Sequence, residues 1–190
     1  MDTNLNQNKI ESVCKIIDGK VITDEKPSAL LIRGLYSGFP ATFEVIMPFW
    51  PFGVTYYLET NLIDDPNKAI SGQSASLSIR PRFISGLIGF FGRLLLINPP
   101  GQPIGDKAID SKYILSFNDK DQAERLLFYP GLITLVDKIN KECSFSEFII
   151  TLSSGIYLQQ SMTFNKLSVD VARETFKNLG SIAQIINEAF

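Results

Sequence analysis

The sequence predicts an α+β domain, with mostly antiparallel strands packed against helices and a long amphipathic helix at the C-terminus. Three observations carry this. Short runs alternate apolar and polar side chains, the mark of half-buried strands. The links between the first runs are too short for parallel crossovers, which need about a dozen residues or more. Near the end of the chain, Ala172, Phe176, Leu179, Ala183, Ile186 and Phe190 recur at spacings of 4 and 3, which is one face of a helix. At ~100–200 residues per domain, the 190 residues read as one α+β domain over 1–190. Two candidate halves, 20–97 and 106–190, flank a Pro/Gly loop and loosely echo each other.

Residues 1–8 are polar and Asn-rich and are expected to fray. Ile10, Val13, Cys14 and Ile17 are spaced for a helix from Asn8 to about Ile17, with Gly19 placed to end it. Ala29 to Tyr36 is apolar and β-branched, and Ser37-Gly38 makes a tight turn. In Ala41 to Met47, Phe43, Val45 and Met47 share one face, and Thr42, Glu44 and Ile46 the other. In Val54 to Leu62, Val54, Tyr56 and Leu58 share a face. These three strands form an antiparallel meander. Asp64 to Ser74 is a polar loop, and Ala75 to Arg80 is a further strand stopped by Pro81. Asn98 to Asp106 holds three prolines and two glycines, so it is a loop and the candidate boundary.

In the second half, Lys112 to Phe117 reads as a strand. Asn118 suits an N-cap, with Asp119 and Asp121 in the first turn of a helix running to about Leu127. Pro130 suits the first position of another helix, whose apolar face is Leu132, Val136 and Ile139. Ser146 to Leu152 and Ile156 to Thr163 form a hairpin around Ser153-Ser154-Gly155. Ser168 suits the N-cap of the last helix.

Composition removes several functions. The chain has no histidine, and so lacks the usual general base and the commonest zinc ligand. Its 18 basic and 20 acidic residues give a net charge of −2, without the basic stripe of a nucleic-acid binder. Cys14 and Cys143 form no C-x-x-C pair and no metal spacing. Both sit among apolar residues, as small hydrophobes do. The N-terminus lacks the basic-then-apolar pattern of a secretory signal. The longest apolar stretch, Phe83 to Ile97, is broken by Ser85, three glycines and Arg93, short of the ~20 apolar residues of a spanning helix. The expected location is cytoplasmic, with any membrane contact peripheral. No cofactor or metal is called for.

Three segments are candidates for function. The first is the acidic pair Asp106 and Asp110 in Gly105 to Tyr113. Paired carboxylates can serve acid–base chemistry or a hard cation, and the same residues can cap the turns that lead into a strand. The second is Phe83 to Ile97, where Gly86, Gly89 and Gly92 are three apart, a spacing that permits close helix packing. From Pro66 to Gly105 there is no acid, while Lys68, Arg80, Arg82 and Arg93 are present. A buried bent segment is one reading. An interfacial element with Arg80, Arg82 and Arg93 near headgroups and Phe90 and Phe91 in contact with lipid or ligand is another. The third is the loop Phe49-Trp50-Pro51-Phe52, whose aromatics can anchor a partner or fold back over the core. No nucleophile constellation and no phosphate-binding loop is present in the sequence.

The order of short motifs also resembles a broad group of uncharacterised prokaryotic α+β domains, some attached to membrane segments. The resemblance spans 28–190. It rests on Gly34 to Gly38, on Leu-x-Ile-Arg-Pro at 77–81, on Gly-Asp-x-x-apolar-Asp at 105–110 and on Tyr-Ile-Leu-Ser at 113–116. Asn-Asp-x-Asp-x-Ala at 118–123, the Leu126-Leu127 helix end, the hairpin and the terminal helix complete it. Ile109 stands where such domains carry an aromatic. The resemblance implies a layout and no catalytic residue.

The function expected from the sequence is a non-catalytic interaction or scaffold domain that binds a protein partner or itself. The alternative is a peripheral membrane or apolar-ligand binder, carried by the acid-free region, the glycine-spaced run and the Phe/Trp loop.

Overall fold

The alternating runs pair into an eight-stranded, wholly antiparallel sheet in a computed structural model that describes residues 3–22, 29–46, 53–60, 75–82, 101–160 and 166–190. The strands are β1 (Lys20–Ile22), β2 (Ala29–Tyr36), β3 (Phe39–Ile46), β4 (Gly53–Leu58), β5 (Ser76–Pro81), β6 (Tyr113–Phe117), β7 (Phe145–Thr151) and β8 (Gly155–Gln160). Their order is β1-β2-β3-β4-β8-β7-β5-β6. The helices are α1 (Thr3–Ile16), α2 (Lys107–Lys112), α3 (Lys120–Leu127), α4 (Leu132–Cys143) and α5 (Val169–Ala189). The α+β class and the C-terminal helix expected from the sequence are both present.

Register explains why one face is the core. Ile32, Phe43, Tyr56, Leu158, Phe148, Ile79 and Leu115 lie opposite one another across seven strands. All seven are essentially buried. Because side chains alternate along a strand, one row of this kind assigns the whole face. Helix α5 covers its middle, packing on β4 and β8 and against α1, α3 and α4. Ala172, Phe176, Leu179, Ala183 and Ile186 are buried there. Phe176 stacks on Tyr36 at 5.7 Å and meets Tyr56 edge-on at 5.2 Å. Ser168 caps this helix by accepting a hydrogen bond from the Val171 amide at 3.1 Å.

The sheet is assembled from two sequence blocks that meet where β4 pairs with β8. Strand β5 precedes the Pro/Gly loop, yet it pairs with β6 and β7. The junction between blocks therefore lies between β4 and β5. One polar pair crosses the junction inside the core: the Tyr56 hydroxyl donates to Gln160 Oε1 at 2.9 Å, and Gln160 Nε2 donates to the Cys143 carbonyl at 3.1 Å.

Several local details differ from expectation. Helix α1 starts at Thr3, within the segment expected to fray. Its end is turned by Asp18, at φ 42°, rather than by Gly19. Gly19 serves close approach instead: a Cβ there would lie 2.7 Å from the Arg33 carbonyl oxygen. Gly34 is its counterpart on β2, where a Cβ would lie 2.5 Å from Gly19 Cα. The Leu35 amide donates to the Ile17 carbonyl across this contact. The N-cap of α3 is Asp119, bonded to the Gln122 amide, while Asn118 accepts from the Ser76 amide. Helix α4 begins at Leu132 behind Gly131, whose φ of 90° suits glycine, so Pro130 stays outside. Lys107–Lys112, expected to lead into a strand, is a helical turn and a half before β6.

At the far end of the sheet the chain closes its own edge. The Gln102 amide donates to the Leu115 carbonyl at 2.9 Å, and its side-chain oxygen accepts from the Phe117 amide at 2.6 Å.

Candidate functional site

The acidic pair is occupied by local structure. Asp106 Oδ1 accepts from the amides of Ala108 and Ile109, which caps α2. Asp110 accepts from the amides of Ile104 and Gly105. Both carboxylates hold turns on this geometry. Among the described residues, no three His, Cys, Asp or Glu side chains are grouped as a metal site.

The arginines separate in role. Arg80 lies on the sheet and forms an ion pair with Glu147 at 2.9 Å. Arg82 donates from Nε to the carbonyls of Asp110 and Tyr113, at 2.9 and 3.0 Å. It ties the strand end to α2, so reversing its charge would unsettle the fold as well as the surface. Phe49, Trp50, Phe52, Phe90, Phe91 and Arg93 lie outside the described residues, as do Gly86, Gly89 and Gly92. Among the described residues no helix is long and apolar enough to cross a membrane.

A site that the sequence did not single out lies on the face of the sheet opposite the core. A depression of about 570 Å³ is lined by residues of β1, β2, β3, β4 and β8. The strand pairing builds it. Tyr57 and Tyr157 lie directly opposite each other on β4 and β8. Thr42 lies opposite Tyr57 on β3, and Arg33 opposite Thr42 on β2. One step along, Ile22, Leu31, Glu44 and Thr55 make a parallel row. Glu59 and Pro40 complete one end. Neighbouring strands lie ~4.8 Å apart, so the tyrosine pair sits at the β4–β8 end and the apolar Ile22 and Leu31 at the β1–β2 end.

The electrostatics follow from this layout. Burial pushes the Tyr157 phenol upward, and the charges of Glu147 and Glu44 push it further. Burial also raises Tyr57, opposed by its hydrogen bond to the Ser154 carbonyl and aided by Glu59. Both phenols thus stay neutral in a field of carboxylates. Glu44 and Glu59 are half-buried. Among the described residues neither carboxylate takes part in a hydrogen bond or ion pair.

No protein-family model, curated protein or solved structure matches the chain.

Proposed function

We propose that this protein is a non-catalytic interaction domain that docks a polypeptide partner on the face of the sheet opposite its helices. The depression around Tyr57 and Tyr157 carries the reading. It has a volume of about 570 Å³ and spans five strands. Its composition supports the same view. Two tyrosines stand side by side at the β4–β8 end, where they add contact area at little entropic cost. The charged Arg33, Glu44 and Glu59 share the lining, and mixed polar and aromatic surface is common at protein interfaces. The floor is a hydrogen-bonded sheet joined to the main core, so little ordering accompanies binding.

Site-specific photocrosslinking in the source cell tests this reading. A photoreactive residue replaces Thr42 in the full chain, and a control replaces Gln184 on the exposed side of α5. A discrete covalent adduct to another protein from position 42, absent from position 184, is expected. No adduct at 42, or the same adducts from both positions, would overturn the reading.

A further inference from the structure

We propose that the depression selects a partner segment by a basic side chain, Lys or Arg, placed at the tyrosine end, with an apolar side chain of the same segment at the other end. This rests on the interaction-domain reading above and names the chemistry of its ligand.

The argument begins with what the tyrosine end lacks. Tyr57 and Tyr157 are cross-strand neighbours on one face, and aromatic faces carry negative potential that attracts cations. Glu44 and Glu59 add two carboxylates to the same lining. Half-buried carboxylates lose hydration, and a cation beside either one supplies counter-charge. Glu147, the next acid along, already has Arg80 as its partner at 2.9 Å, so it competes little for a second cation. Among the described residues of the lining the one cation, Arg33, is on β2, with β3 between it and β4. Two strand spacings, ~10 Å, separate it from Tyr57 along the row.

The length of the depression decides for a polypeptide over a small organic cation. From β1 to β8 there are four strand spacings, or ~19 Å. One ammonium or guanidinium group occupies the tyrosine end alone. Ile22 and Leu31 at the other end offer nothing to a cation and much to an apolar side chain. An extended segment rises ~3.3 Å per residue, so about six residues bridge the two ends.

Peptide display on the full chain tests the inference. Random dodecapeptides are selected on the wild type, then measured by fluorescence anisotropy against two variants, Thr42→Arg and the double variant Glu44→Gln with Glu59→Gln. Thr42→Arg fills the centre of the depression, and the glutamine pair keeps its shape while removing its charge. Circular dichroism checks that each variant is folded. The expected result is enrichment of Lys or Arg beside an apolar residue. Binding should weaken by about fivefold or more in the glutamine variant, and similarly between low and moderate salt. Peptides that Thr42→Arg blocks, but that lack a basic residue or ignore the glutamine pair, would overturn the cation chemistry and leave the docking face standing. If no selected peptide is blocked by Thr42→Arg, both readings fall. Should Thr42→Arg fail to fold, Tyr157→Ala replaces it as the blocking variant.

Discussion

At the residue scale, a few polar side chains tie the helices to the sheet. Tyr113, buried on β6, donates to Asp137 Oδ1 on α4, while the Lys112 ammonium lies 2.6 Å from Oδ2. Burial raises the Asp137 carboxyl, but the hydrogen bonds from Lys112 and Tyr113 and the Lys112 charge outweigh it, so its pKa is lowered. A carboxylate with a depressed folded-state pKa stabilises the fold above its ordinary value of about 4, and that contribution is lost as pH falls through the depressed value. Asp137→Asn should therefore be less stable than wild type at neutral pH, by about 1 kcal/mol. The gap should close below about pH 4, and urea titrations at several pH values read it. Cysteine gives a second expectation. Burial pushes the Cys143 thiol up to about 11, against hydrogen bonds with Gln160 and Thr175, whereas Cys14 is only partly buried. In native protein near pH 8, iodoacetamide should label Cys14 well before Cys143, as peptide mass spectrometry will show. Equal rates would contradict the packing around Gln160.

Elements were legible in the sequence wherever burial is one-sided. The strand Ala41 to Met47 declared its faces through Phe43 and Val45, and the terminal helix through six apolar positions. What escaped was short or was set by distant partners. Strand β1 has three residues, with Lys20 and Val21 exposed, too few to show a period. Helix α2 buries only Ile109, so nothing repeats along it. The depression was half visible: alternation places Thr42, Glu44 and Tyr57 away from the core. Its other tyrosine arrives only through the β4–β8 pairing, which joins residues about a hundred positions apart and leaves no local signal. The contact between the end of α1 and β2 was hidden in the same way, because Gly19 and Gly34 read from sequence as ordinary turn or strand glycines. Gly34→Ala should cost about 1–3 kcal/mol, because its methyl would press on the Ile17 carbonyl and Gly19. Denaturant unfolding gives the loss. Gly38→Ala, with open space around its Cβ but a φ of 87°, separates pure backbone strain from this clash.

On the scale of the whole molecule, the sheet cannot be completed from either end of the chain alone. Its central pairing needs β4 and β8, and β8 is among the last strands in sequence. Long-range pairing must meet the loop-closure cost before its contacts are gained. Refolding from urea should therefore take roughly milliseconds to seconds, as in other sheets dominated by non-local pairs. Stopped-flow circular dichroism measures the rate. Tyr56→Phe, which leaves Gln160 Oε1 without its partner at the junction, should destabilise by about 1–3 kcal/mol. Relaxation in microseconds would mean that the two blocks dock already folded.

The two margins of this sheet are unlike. Beyond β6, Gln102 has taken the Leu115 carbonyl and the Phe117 amide for itself. Beyond β1, no other strand is paired among the described residues. Fibrous growth by strand addition needs a template edge at both sides of every molecule. A molecule with one edge sealed can offer only the other, so edge-to-edge pairing between copies through β1 would stop at two. The glutamine that completes a loop thus also works as a terminator against open-ended polymerisation.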